Sequence, residues 1–160
     1  MQDLILAAEE RYWDAYELAV QGRDFAAIYL AGFTAEMLLK TAGFRFNGIA
    51  LGQETGPLLG PARAFGQARF PAIDHESYHS LRFWLAYLEH KRADAGRPLD
   101  PALLNELRVR VARAYETWWV AMRYRSSATP DVRAVGNLAE VLTLLEDVGW
   151  IMNNHTLLWS

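Results

Sequence analysis

The sequence contains no cysteine, and this absence removes several kinds of chemistry at once. A chain without thiols has no disulfide framework, no thiolate nucleophile and no cysteine-ligated zinc. It is compatible with a reducing compartment, and we expect a cytoplasmic location. The sequence also lacks a phosphate-cradling glycine loop, and His75 and His79, four residues apart, have no third ligand nearby. We therefore expect neither a metal nor another cofactor.

Long apolar runs and strong charge are missing as well. The first 16 residues have no basic segment, and acids interrupt their apolar positions, so they do not predict a signal peptide. No stretch of 18 uncharged apolar residues exists, so we expect no membrane span and no membrane partner. The net charge of -3 argues against non-specific nucleic-acid binding, although a local basic patch remains open.

Apolar residues, in contrast, are abundant and recur at helical spacings. They make up 52% of 160 residues, which predicts one domain, residues 1–160, with a substantial core. Glycine and proline cluster at 47–61 and 96–98, and these clusters predict loops that are too short to separate two domains.

Apolar positions three and four residues apart predict five long helices. The predicted helices and their end signals are 3–21 before Gly22, 25–41 after Asp24, 75–94 after Asp74, 101–122 after Asp100 with Pro101 first, and 130–152 after Thr129 with Pro130 first. A short helix between Pro61 and Phe70 is left open. No segment alternates as a strand would, so we expect an all-α, up-and-down antiparallel bundle of about five long helices with no sheet.

The chain is rich in aromatic residues, with 6 Trp, 7 Tyr and 7 Phe. Most of them fall on the apolar stripes and should lie in the core. Trp119, Trp150 and Trp159 fall outside the main stripes. Surplus aromatic surface of this kind is typical of a subunit interface, so we expect a homodimer.

The second predicted helix carries a carboxylate on its apolar face. At about 100° per residue, Phe25, Tyr29, Phe33 and Glu36 lie within an arc of about 80°, and Lys40 follows one turn beyond Glu36. A buried, unpaired carboxylate is costly, so Glu36 needs a cation, hydrogen-bond donors or a proton.

The sequence offers two sources for that cation. Lys40 stands four residues after Glu36, the favoured order for a helical ion pair, and the segment Arg123-Tyr124-Arg125 ends the fourth stripe. Three interpretations remain open: a structural ion pair, a ligand site where these residues converge, or a carboxylate that reaches solvent at the rim of the bundle.

Three short segments carry recognisable motifs. They are Tyr29-Leu-Ala-Gly-Phe-Thr-Ala-Glu-Met-Leu-Leu-Lys40, His79-Ser-Leu, and Trp118-Trp-Val-Ala-Met-Arg-Tyr124. Together they resemble motifs of the HEPN family (higher eukaryotes and prokaryotes nucleotide-binding). The resemblance implies an up-and-down helical bundle, commonly a homodimer, often encoded beside a nucleotidyltransferase-type partner or acting in toxin–antitoxin and defence systems of prokaryotes. Many family members are metal-independent ribonucleases whose site is an arginine followed, after four to six residues, by a histidine.

One pair in this chain, Arg69 and His75, has the ribonuclease spacing. A chain with 4 His and 14 Arg among 160 residues contains about one such pair by chance. Pro71 lies between the two, so they are predicted to straddle a loop instead of sharing a helical face. The basic residues of the fourth helix, Arg108, Arg110 and Arg113, are interpreted as a solvated face or, alternatively, as a nucleic-acid patch.

Three functions therefore remain open. The first is a non-catalytic HEPN-like module that dimerises and binds a nucleotide, an RNA or a partner protein through Glu36, Lys40, Arg123, Tyr124 and Arg125. The second is a ribonuclease toxin, and the third is a structural protein that forms homo-oligomers.

Overall fold

The computed structural model describes residues 2–73, 78–118 and 137–160, and these residues form six α-helices and no strand. The helices are α1 Gln2–Val20, α2 Asp24–Phe46, α3 Gly56–Arg69, α4 Leu81–Asp94, α5 Pro101–Thr117 and α6 Leu138–Trp159. The prediction of an all-α helical bundle is confirmed for this part of the chain.

Two of the predicted helix ends are present with their expected chemistry. Gly22, directly after α1, has a φ of 69°, and the backbone N–H of Arg23 donates to the carbonyl of Leu18 at 2.8 Å. This is the left-handed stop that glycine favours. At the start of α5, the Asp100 carboxylate accepts two backbone N–H groups of the first turn at 2.9 and 3.1 Å, and Pro101 occupies the first helical position.

The middle of the chain differs from the prediction. α4 begins at Leu81, where the Ser80 hydroxyl accepts the N–H of Phe83 at 3.2 Å, and not near Asp74, which lies outside the described residues. The first loop is shorter than predicted, because α3 already begins at Gly56. Pro57 fits the first turn of α3, which has no backbone hydrogen bond to lose there.

The bounds of the last two helices also differ from the predicted bounds. α5 stops at Thr117, because Trp118 has extended backbone angles, so the predicted continuation to residue 122 is wrong. α6 starts after Asn137, which forms a reciprocal capping box with Glu140, and it continues to Trp159 instead of ending at residue 152. The predicted start at Thr129-Pro130 lies outside the described residues.

The core is organised around α2, which packs against α1, α4 and α6. Small side chains on α1 and α2 let these helices approach each other closely, and larger apolar side chains fill the remaining space. Residues of this core that are completely buried include Ala8, Ala15, Ala27, Ala31, Ala35, Leu38, Leu39, Leu81, Trp84, Leu88, Leu107 and Val148.

By length and composition alone, α2 is apolar enough to span a membrane. However, 61% of its most apolar window is buried inside the bundle, which is what a core helix shows. The apolar composition of α2 is therefore weak evidence for a membrane span, and the absence of such a span stays a prediction.

Candidate functional site

Glu36 lies on the inner side of α2 and is only 3% exposed. Its neighbours Ala35, Leu38 and Leu39 are completely buried. An ionised carboxylate at such a position must be balanced by charge and hydrogen bonds, since desolvation otherwise costs several kcal/mol.

Lys40 and His79 meet this requirement. The Lys40 ammonium forms an ion pair with Oε1 of Glu36 one helical turn away. Nδ1 of His79 lies 3.1 Å from Oε1 and 2.9 Å from Oε2 of the same carboxylate. Lys40 is itself almost buried, and its Nζ lies 5.3 Å from the centroid of the Trp84 ring. We call Glu36, Lys40 and His79 the acid cluster.

The start of α4 places His79 in the acid cluster. His79 directly precedes the capping residue Ser80, and Trp84 in the first turn donates its indole N–H to the carbonyl of Tyr78 at 2.8 Å. The imidazole also meets the ring of Phe33 edge to face, with centroids 5.9 Å apart. Capping, indole bond and ring contact together fix the segment that carries His79.

Trp118 closes the neighbouring part of α2. Its indole N–H donates to the carbonyl of Tyr29 at 3.1 Å, and its ring packs edge to face on Phe33 at 5.6 Å. A Cβ atom on Gly32 would lie 2.0 Å from the indole ring. Only glycine at position 32 admits the indole, so Gly32 determines how closely the end of α5 approaches α2.

The charges of the acid cluster indicate what it can do. The charges of Glu36 and Lys40 cancel. A histidine ring N–H that donates to a carboxylate fixes the orientation of the imidazole. Because the side chain of His79 is 37% exposed whereas Glu36 is buried, His79 is the member of the cluster that can meet a ligand.

The other predicted site residues are not assembled in this way. Arg69, at the end of α3, forms an exposed ion pair with Asp94 at the end of α4. His75, the second member of the ribonuclease pair, lies outside the described residues. The same holds for Arg123, Tyr124 and Arg125, so their predicted approach to Glu36 stays a prediction.

The residue that sequence reasoning missed is His79, whose motif was noted but not connected to Glu36. The two positions are 43 residues apart, and nothing in either local sequence indicates that they meet.

A second buried carboxylate was missed as well. Asp147 on α6 is completely buried, and Arg110 and Arg113 of α5 both donate to it. Arg110 is therefore not part of a solvated face, and that interpretation is wrong for it. Asp147 lies one turn from Leu144 and Ile151, so its position on the apolar stripe of α6 was a signal available in the sequence.

The surplus aromatic residues lie partly within the chain. Trp150 is half-buried, with the Arg110 guanidinium 5.1 Å from its ring centroid, and Trp159 meets the His155 ring at 5.0 Å. Both pack against the core of their own chain. Trp119 lies outside the described residues.

The part of the chain that the structure describes contains no set of side chains that could hold a metal ion. No three histidine, aspartate or glutamate side chains are grouped there as a metal ion would need. Comparison with protein-family models, curated proteins and solved structures gave no match.

Proposed function

We propose that this chain is a single-domain, HEPN-like helical module that is non-catalytic, forms a homodimer and binds a nucleotide or RNA through phosphate contacts at the acid cluster. We also propose that the helices of the bundle have an up-and-down arrangement. In its biology, it includes a cytoplasmic location, a toxin–antitoxin or defence-type system and a nucleotidyltransferase-type protein partner.

The observation that carries the proposal is that the three segments resembling the family converge in space. Glu36 and Lys40 from the first segment contact His79 from the second. Trp118 from the third packs on Gly32 of the first. These contacts bring described residues of all three motifs, up to 89 positions apart in a contacting pair, together beside α2.

The surroundings of His79 favour an anionic ligand. The guanidinium of Arg63 lies 6.0 Å from the ring centroid of Tyr78, the residue before His79. Arg82, in the first turn of α4, is exposed and lies over the ring of Tyr115 at 4.4 Å. Arginine side chains near a helix N-terminus bind phosphate oxygens well, because both present N–H donors and positive charge.

A binding measurement tests the proposal directly. ATP and a short single-stranded RNA are titrated against the full chain by calorimetry. His79→Ala should weaken the binding of at least one of them about tenfold, which corresponds to about 1.4 kcal/mol. The matched control is His155→Ala on α6, which removes another partly exposed histidine and should leave the affinity unchanged.

The same titration separates the competing functions. If neither ATP nor RNA binds, the acid cluster is a structural ion pair and the proposed ligand is wrong. If RNA is shortened during the titration, the non-catalytic part of the proposal is wrong. The pair Arg69 and His75 has no structural observation in its favour, since Arg69 is engaged with Asp94.

The proposed homodimer fits the first part of α6 best. Leu138 and Leu142, one turn apart, are each about half exposed there. Exposed apolar side chains at this spacing are suited to pack against the same helix of a second copy. Light scattering of the eluting protein gives the mass that decides between monomer and dimer.

A further inference from the structure

The outward face of α1 carries an apolar stripe that no other part of the described chain covers. Leu6, Trp13, Tyr16 and Val20 are all about half exposed or more, and Val20 reaches 74%. The ring of Trp13 is held in place by edge-to-face contacts with Tyr12 and Tyr16, with centroids 5.3 and 6.1 Å apart. The stripe is thus a preformed surface of large side chains.

The spacing of this stripe suits another helix. Leu6, Trp13 and Val20 are seven residues apart, so successive members drift by only about 20° around α1. Tyr16 lies three residues after Trp13, on the same side. A repeat of seven with an intermediate apolar position is the seam on which a second helix packs side chains between side chains. We call this stripe the α1 seam.

The charged side chains beside the α1 seam are mostly negative. α1 carries five acids, Asp3, Glu9, Glu10, Asp14 and Glu17, and one cation. That cation, Arg11, already forms an ion pair with Asp14 and lies 3.7 Å from Glu10. Four of the five acids fall on one flank of the seam, within about 60° of one another.

We propose that the α1 seam binds an amphipathic basic helix of a partner protein. The apolar side of that helix would cover Leu6, Trp13 and Val20, and its lysine or arginine side chains would meet the acidic flank. This proposal does not rest on the acid cluster, which lies on the inner side of α2.

Charge also argues against two other occupants of the α1 seam, a second copy of this chain and a bilayer surface. A second copy of this chain would bring another α1 with five acids and no unpaired cation on that helix to complement them, so the two flanks would repel each other. A bilayer surface usually carries negative charge, which the same acids would repel.

A designed peptide tests this inference. The probe is a fluorescein-labelled, 21-residue heptad peptide with leucine at the a and d positions and lysine at most others, and its anisotropy is measured as the full chain is added. The wild-type chain should bind this peptide, and a matched peptide with glutamate in place of lysine should not bind. Trp13→Ala should weaken binding of the lysine peptide at least about tenfold.

Two further variants keep the test specific. Glu10→Lys combined with Glu17→Lys should weaken binding and flatten its salt dependence. Leu157→Ala on α6, which removes a similarly exposed apolar side chain, should leave binding unchanged. Because all of these side chains are exposed, thermal unfolding should show that each variant is folded.

Four outcomes would overturn the inference. They are equal binding of the lysine and glutamate peptides, an equal loss in Leu157→Ala and Trp13→Ala, a dimer that Trp13→Ala converts to a monomer, and a blue shift of tryptophan emission on phosphatidylserine vesicles that Trp13→Ala abolishes. The third would identify a second copy as the occupant, and the fourth a membrane surface.

Discussion

The two buried carboxylates in the described part of the chain are balanced in different ways. Glu36 on α2 and Asp147 on α6 are both almost or completely buried, and each is met by two nitrogen-bearing side chains. Asp147 is held by two arginines, which keep their charge throughout the accessible pH range. Glu36 is held by a lysine of its own helix and by a histidine 43 residues away, whose ring lies 2.9 Å from the carboxylate.

This difference indicates a difference of role. Arg110 and Arg113 lie on α5 and both bind Asp147 of α6, and Arg110 also lies 3.6 Å from Glu146, so these ion pairs fix α5 to α6. The acid cluster joins α2 to His79, two residues before α4, and His79 is partly exposed at the surface. We infer that Asp147 serves packing and that Glu36 serves a site.

The largest effect is expected at Asp147. Asp147→Asn keeps the shape of the side chain but leaves two guanidinium groups facing a neutral amide, one of them almost buried. Removing one partner of a buried pair is strongly destabilising, so the free energy of unfolding should fall by about 3 kcal/mol. Urea denaturation with an unchanged m-value measures this loss.

The matched control is Glu89→Gln, which neutralises a bidentate ion pair with the exposed Arg108. Pairs of this kind contribute little, so the loss should stay below about 1 kcal/mol. If the two variants lose equal stability, burial does not distinguish Asp147, and the contrast with Glu36 has no basis.

A smaller effect is expected at Glu36. In Glu36→Gln, the amide oxygen can still accept a hydrogen bond, His79 is 37% exposed to water, and a single cation, Lys40, loses its partner. The free energy of unfolding should fall by about 2 kcal/mol, less than in Asp147→Asn under identical conditions. A loss as large as that at Asp147 would show that the acid cluster is as rigid as the arginine pair and would favour a structural role.

The helix ends show what local sequence can determine. Gly22 and Asp100 act within one turn of their own position, and both were predicted with their correct roles. Asp74 and Ser80 are both chemically competent caps in the sequence, and the cap of α4 is Ser80, beside the bond from Trp84 to Tyr78. α3 is helical in spite of its glycines and prolines, and its Gly66 packs under Phe83, a contact that no local pattern reveals.

In the candidate site, too, some contacts can be predicted from local sequence and others depend on how the helices pack. The ion pair of Glu36 with Lys40 spans one helical turn, and helix geometry alone made it a candidate. His79 approaches Glu36 only because α4 packs against α2. Asp147 stands on an apolar stripe as Glu36 does, and the same angular reasoning applied to α6 would have placed it inside.

The smallest effect, a difference near zero, is expected when the loss in Asp147→Asn is compared at two pH values. The hydrogen bond to Asp147 raises the pKa of Arg113, so its contribution to stability is fully present below the ordinary arginine value and is lost only as the pH rises through the higher value of the folded state. The loss measured at about pH 6.5 and about pH 9.5 should therefore agree within about 0.5 kcal/mol. Higher pH is avoided because burial raises the pKa of Tyr87 to about 12, so the folded state loses stability between about pH 10 and that value. A pH-dependent loss would reveal a titrating partner of Asp147 and remove the contrast with Glu36.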